Sequence, residues 1–172
     1  MSIIKVISKS FSNSNSLENI VAYALNIPVT RLNENISDIK YICYGVNDLT
    51  PLHMVTSMKK TKDTFNKTEG KQIHHFILSI HKNNYLGMAN KKMWCDLLCN
   101  DVAYYLRTLG YQNIAFIHLK NYVDNVHIHF IVNSVNGLTG TKLKNERTFY
   151  QKLLHYLRSN YAILNWEFVT YN

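Results

Sequence analysis

Proline and glycine are scarce, at 2 and 6 of 172 residues, which argues against a loop-dominated or repetitive architecture. No internal repeat is visible. No apolar run approaches the roughly 20 residues needed to span a bilayer. The opening residues, Met1-Ser2-Ile3-Ile4-Lys5-Val6-Ile7-Ser8-Lys9, alternate polar and apolar and lack the continuous stretch of a signal peptide. The expectation is a soluble, cytoplasmic chain with no membrane insertion. Cysteines number only three, Cys43, Cys95 and Cys99, and none form a C-x-x-C pair. Cys95 and Cys99, four apart on a helix-like stretch, read as buried packing residues. Acidic residues are also few, 11 against 19 Lys and Arg, leaving a formal charge of +8. That excess suggests a polyanionic partner, with nucleic acid the first choice.

What is present suffices for one core. Hydrophobic residues make up 47% of the chain and aromatics 12%, in a length that fits a single domain. Residues 2–9 alternate as a half-buried strand does. The Ser/Asn run at 10–16 reads as a loop feeding a helix, with Asn15 and Glu18 spaced as a capping box. That helix ends near Leu25, ahead of Pro28. Ile39 to Tyr44 reads as a strand, and Thr50-Pro51 opens a basic helix through Lys62. Gln72 to His81 is a second long strand. Lys91 to Leu109 carries Trp94, Leu97, Leu98, Val102, Tyr105 and Leu109 at three- and four-residue steps, and Gly110 stops it. Ile114 to Leu119 and Val126 to Asn133 read as an antiparallel hairpin. A basic amphipathic helix follows from about Glu146 to Arg158. The order β-α-β-α-β-α-β-β-α implies an α+β domain whose central five-stranded sheet is mainly antiparallel, with helices packed on it.

Histidine carries the strongest chemical signal. In Asp124-Asn125-Val126-His127-Ile128-His129-Phe130, His127 and His129 are two apart on a strand and face the same side, while Ile128 and Phe130 face the other. His118 ends the preceding strand. Three imidazoles on one sheet face can make a metal site with open coordination positions; equally, each can be an ordinary strand histidine. His74 and His75 are adjacent, so they face opposite ways; one of them can approach the site, but both read better as ordinary strand residues.

Twelve tyrosines are present. On a helical wheel Leu17, Ile20, Val21, Ala24 and Leu25 gather on one side, and Tyr23 falls roughly 130° from the centre of that stripe. It is therefore free to face a cleft. Tyr104, Tyr105 and Tyr156 lie in amphipathic helices where packing accounts for them. Asp101 falls on the apolar side of its helix, where a carboxylate needs a partner. Two are open for it and for Asp124: a metal-bound imidazole or a structural lysine. Basic clusters at Lys59, Lys60 and Lys62, at Lys91 and Lys92, and at Lys142, Lys144 and Arg147 can track DNA phosphates or serve as solvated faces.

These segments carry a family resemblance. The opening SIIKVISKSFSNSNSLENIVAYALN resembles the first strand, loop and helix of the mobilization-nuclease (MOBP-like) relaxases of the HUH endonuclease superfamily. FIHLKNYVDNVHIHFIVNSVNGLTGTK resembles their metal-binding motif, and YGVND and HHFILSIHKNN fall in the expected order between them. The stretch from His118 to Asp124 is longer than the family's H-x-D spacing. The resemblance implies Tyr23 as nucleophile, His118, His127 and His129 as ligands, and Mn²⁺ or Mg²⁺ as cofactor. It implies nicking of single-stranded DNA at a transfer origin through a 5′-phosphotyrosyl enzyme, with accessory DNA-binding and coupling proteins as partners. Members usually carry a further C-terminal region, so residues 1–172 read as one nuclease domain, alone or at the start of a longer protein. A rolling-circle replication initiator of the same superfamily would use the same residues. A non-catalytic DNA-binding accessory module would not need Tyr23.

Overall fold

Buried and half-buried positions alternate along Ser2–Ile7, as the sequence alternates, and this segment is strand β1. The computed structural model describes residues 1–7, 11–13, 15–35, 41–85, 90–118 and 125–171, with backbone only at 85, 170 and 171. After β1 come α1 (Ser16–Leu25), a 3₁₀ turn at Val29–Arg31, β2 (Tyr41–Tyr44) and α2 (Pro51–Thr64). The chain continues through β3 (Ile73–Ile80), the one-turn α3 (Lys82–Tyr85), α4 (Lys91–Thr108), β4 (Tyr111–His118) and β5 (Val126–Asn136). It closes with α5 (Glu146–Asn160), a 3₁₀ turn at Ala162–Leu164 and β6 (Trp166–Tyr171).

Local chemistry explains most of the boundaries. The Thr50 side chain accepts the His53 amide, and Pro51 occupies the first turn of α2, where its missing N–H is not needed. The Asn145 side chain accepts the Thr148 amide and starts α5. The expected capping box on α1 does not form. Asn15 makes no side-chain cap; its own amide is held by Asn13 Oδ1, and Glu18 instead pairs with Lys59 on α2. In α4 the buried stripe is Cys95, Leu98, Cys99, Val102, Ala103 and Leu106. Leu97, expected within it, is 52% exposed.

The sheet has six strands in the order β2-β4-β5-β3-β1-β6. It is mixed, not the expected five-stranded, mainly antiparallel sheet. β6 was not anticipated, and it pairs parallel with β1 from Ser2↔Trp166 to Ile7↔Tyr171. A parallel partner needs a crossover, and α5 supplies it. Trp166, fully buried under that helix, anchors the returning strand.

Each side of the sheet has its own core. On one, α4 and α5 cover Phe76, Leu78, Ile80, Ile128, Phe130 and Val132. On the other, Leu17, Val21 and Leu25 of α1 and Met54 and Met58 of α2 cover Ile73, Ile114, Phe116 and Ile131. β3, between β5 and β1, is buried along its whole length. Phe76 and Phe130 stack across β3 and β5 with ring centroids 4.9 Å apart. Replacing Phe130 with Ala leaves a void in this stack and should lower the unfolding free energy by about 3–5 kcal/mol. Urea unfolding followed by circular dichroism measures this; a loss below about 1 kcal/mol would mean the core collapses around the gap.

Candidate active site

Strand pairing brings the three motif histidines together. β4 and β5 run antiparallel with His118 opposite His127 and Phe116 opposite His129. All three rings therefore lie on the face that α1 and α2 cover. The His118 and His129 rings are 4.4 Å apart at their centroids. α1 crosses this face with Tyr23 pointing away from its own apolar stripe, 65% exposed, and its ring meets that of His129 edge-on at 6.2 Å. Tyr23, His118 and His127 line one cleft of about 1270 Å³, with Asn26, His81 and Asn125 at its rim.

Burial disfavours the charged form of two of these imidazoles, His129 and His127. Burial pushes His129 down to about 3, with the other histidines and Lys5 opposing the cation further. His127 is lowered too, first by burial and then by Lys5 and His118. A neutral ring with a lone pair is the form in which histidine binds metal, so the donor chemistry fits a divalent cation. The ring placement is a separate matter. His118 Nε2 donates to the Ala24 carbonyl at the end of α1, and among the described residues no three His, Cys, Asp or Glu side chains are grouped to hold an ion. With Nε2 donating to that carbonyl, the lone pair of a neutral His118 falls on Nδ1, and the rings must rearrange before all three can act as ligands of one ion.

A fourth histidine belongs to the cluster: of the adjacent pair His74 and His75, one of which the sequence allows to approach the site, it is His75, not an ordinary strand residue. His75 of β3 lies 3.1 Å from His129, Nε2 to Nδ1, and the two rings stack at 5.3 Å. Its position depends on the pairing of β3 with β5, strands that are not consecutive, so no local motif announces it. Lys5 was missed. It faces Ile77, which in turn faces His129, in one cross-strand row.

His74 points to the opposite face, as its parity requires. It is buried, and neither ring nitrogen has a hydrogen-bond partner. A Glu146 oxygen lies 3.7 Å away, yet burial, aided by Lys71 and Lys142, outweighs Glu146 and pushes the ring down to about 4. Glu146 is a weak counter-charge because it also binds Lys71 at 2.8 Å. The unfolded ring titrates near 6.5, so the unfolded chain binds a proton first as pH falls. His74 therefore withdraws stability between about pH 6.5 and 4, by roughly 3 kcal/mol in all. In His74→Leu the urea midpoint should fall less than in wild type between pH 7 and 4.5. An equal fall in both would show that His74 does not titrate as its burial requires.

The other expected site residues are dispersed. Asp101 sits on α4, across the sheet from the histidines, and accepts the Tyr161 hydroxyl; it cannot orient an imidazole, because a buried neighbour on its own side satisfies it. Asp124 lies in 119–124, outside the described residues. Lys59 pairs with Glu18, and Lys142 donates to the Glu69 carbonyl. Lys62 is 1% exposed, too deep to meet a phosphate. Lys60 is on α2, Lys91 and Lys92 open α4, and Lys144 and Arg147 flank the start of α5. None of these is among the described residues that line the cleft. The cations close to it are Lys82, which lines it, and Lys5.

A family model described as relaxase, MobA/VirD2-like, nuclease domain matches residues 23–159. The match starts at the exposed tyrosine of α1 and runs to the last turn of α5, taking in all four clustered histidines. No curated protein and no solved structure gives a significant match. Among the described residues no helix is long and apolar enough to cross a membrane. Relaxase-type nicking, with single-stranded DNA as substrate, is the function the family match supports. The chain belongs to the relaxases, as a MobA/VirD2-like nuclease domain.

Proposed function

We propose that this domain nicks one DNA strand at a transfer origin by transesterification, with Tyr23 as nucleophile and His118, His127 and His129 as the ligands of a divalent cation. The observation that carries this reading is the shared cleft. One exposed phenol and two motif imidazoles line it, and the third imidazole touches the phenol edge-on. An exposed tyrosine beside a histidine cluster has no packing role to explain it.

The step balances within the strand. Tyr23 Oη attacks phosphorus, the Oη–P bond forms and the bond from phosphorus to the 3′ oxygen breaks. The phenol gives up its proton and the departing oxygen takes one, leaving a 5′-phosphotyrosyl enzyme and a free 3′-hydroxyl. Because one phosphodiester replaces another, the 3′-hydroxyl can reverse the reaction and reseal the strand. Mn²⁺ or Mg²⁺, when bound, would polarise the scissile phosphate and offset charge on its oxygens. Lys5 and Lys82 attract the flanking backbone, so binding weakens as salt rises. Accessory DNA-binding and coupling proteins complete the proposed setting.

The test uses single-stranded oligonucleotides spanning candidate transfer origins, with Mn²⁺ or Mg²⁺, read on a denaturing gel. A protein–DNA adduct that survives denaturation supports the reading. Nicking with no adduct would assign a hydrolytic nuclease instead. Tight binding with neither product would assign a non-catalytic DNA-binding module.

A further inference from the structure

The deepest part of the cluster is the contact between His75 and His129. Both residues are nearly inaccessible, at 2% and 4% exposure, and Nε2 of His75 lies 3.1 Å from Nδ1 of His129. The rings stack at an angle of 29°. Phe11 closes on the far side of His75, edge-on at 6.3 Å. β3 carries His75 through the middle of the sheet, buried from end to end. The partner of His129 is thus held in place by packing.

A neutral imidazole has one N–H donor and one lone-pair acceptor. One proton therefore occupies the contact, and its location decides what His129 can do. If His75 Nε2 carries it, His129 Nδ1 accepts, and the remaining His129 nitrogen bears a hydrogen and cannot ligate. If His129 Nδ1 carries it, the lone pair falls on Nε2 and is available to an ion. Ligating histidines characteristically donate their second nitrogen to a fixed acceptor. Carboxylates often fill that place, but no acidic side chain is seen against His129 among the described residues.

We infer that His75 is the positioning residue of the metal site: its Nε2 accepts the Nδ1–H of His129 and holds that ring in the tautomer whose Nε2 can bind the cation. This rests on the reading of His129 as a ligand. His75 itself touches neither metal nor DNA.

Two measurements test it. The first needs no metal and no substitution: two-bond ¹H–¹⁵N correlation spectra of the histidine rings in the wild-type protein. His129 is expected as the Nδ1–H tautomer. Finding it as the Nε2–H tautomer would overturn the assignment outright. The second compares His75→Leu, which cannot accept, with His75→Gln, whose amide oxygen can. Calorimetric Mn²⁺ titration should show affinity reduced about 10–100-fold in His75→Leu and recovered to within a few-fold of wild type in His75→Gln. Equal losses in both would make His75 a packing residue and overturn the inference. Should wild type bind no Mn²⁺, the metal reading fails by itself, and the tautomer spectrum still decides the role of His75. Should His75→Leu not fold, the wild-type spectrum and His75→Gln carry the test.

Discussion

Tyr23→Phe is expected to abolish the covalent protein–DNA adduct while fold and single-strand binding persist. The loss should be on the order of 10³-fold or more, the scale seen when a nucleophile is removed. The substitution deletes one oxygen from a side chain that is 65% exposed, so a structural explanation for lost activity is weak. Competing tyrosines are poorly placed. Tyr150 is buried and its ionisation pushed up, and Tyr161 is raised by burial and by its bond to Asp101. Tyr44 bonds Asn100, and Tyr104 is exposed but on α4, across the sheet. Full adduct formation by Tyr23→Phe would keep the enzyme class and transfer the role to another tyrosine. Tyr122 would then be first to examine, since it lies four positions after His118 in the chain but outside the described residues.

His127→Ala should be the second most damaging change. The side chain is exposed at the cleft and has no share in either core. Its removal should therefore leave the melting temperature within a degree or two, as surface substitutions do. Adduct formation should nevertheless fall about 10²-fold or more, because a missing ligand costs at least as much as a missing outer partner. Wild-type protein stripped with EDTA should lose the adduct in the same way, and Mn²⁺ should restore it only where His127 is intact. An adduct that forms equally well with EDTA present would remove the metal from the proposal and leave Tyr23 in it.

The placement of several candidate site residues was legible in the sequence because their signals are local. The two-residue spacing of His127 and His129 needs only strand parity to place both on one face, and the structure has them there. The wheel position of Tyr23 needs only helical periodicity, and the residue is exposed as that angle requires. What stayed hidden depends on pairing between distant segments. His75 enters the cluster through the register of β3 against β5. β6 was missed because its partner, β1, lies at the other end of the chain. Asp101 was drawn toward the histidines by its place on an apolar stripe, but that stripe packs on the opposite side of the sheet. One-dimensional periodicity identifies a buried face without saying which layer it meets.

The contact of His118 with the Ala24 carbonyl joins positions 94 residues apart, and this bears on when the proposed site can assemble. Such separations close late, after local helices have formed, and synthesis runs from the N-terminus at about 5–20 residues per second. For several seconds a growing chain exposes Tyr23 with none of the motif histidines yet made. A chain interrupted before β5 would hold a phenol and no His127 or His129 to support it. On the proposed reading, the site is therefore assembled only after β5 has been made and has paired with β3 and β4.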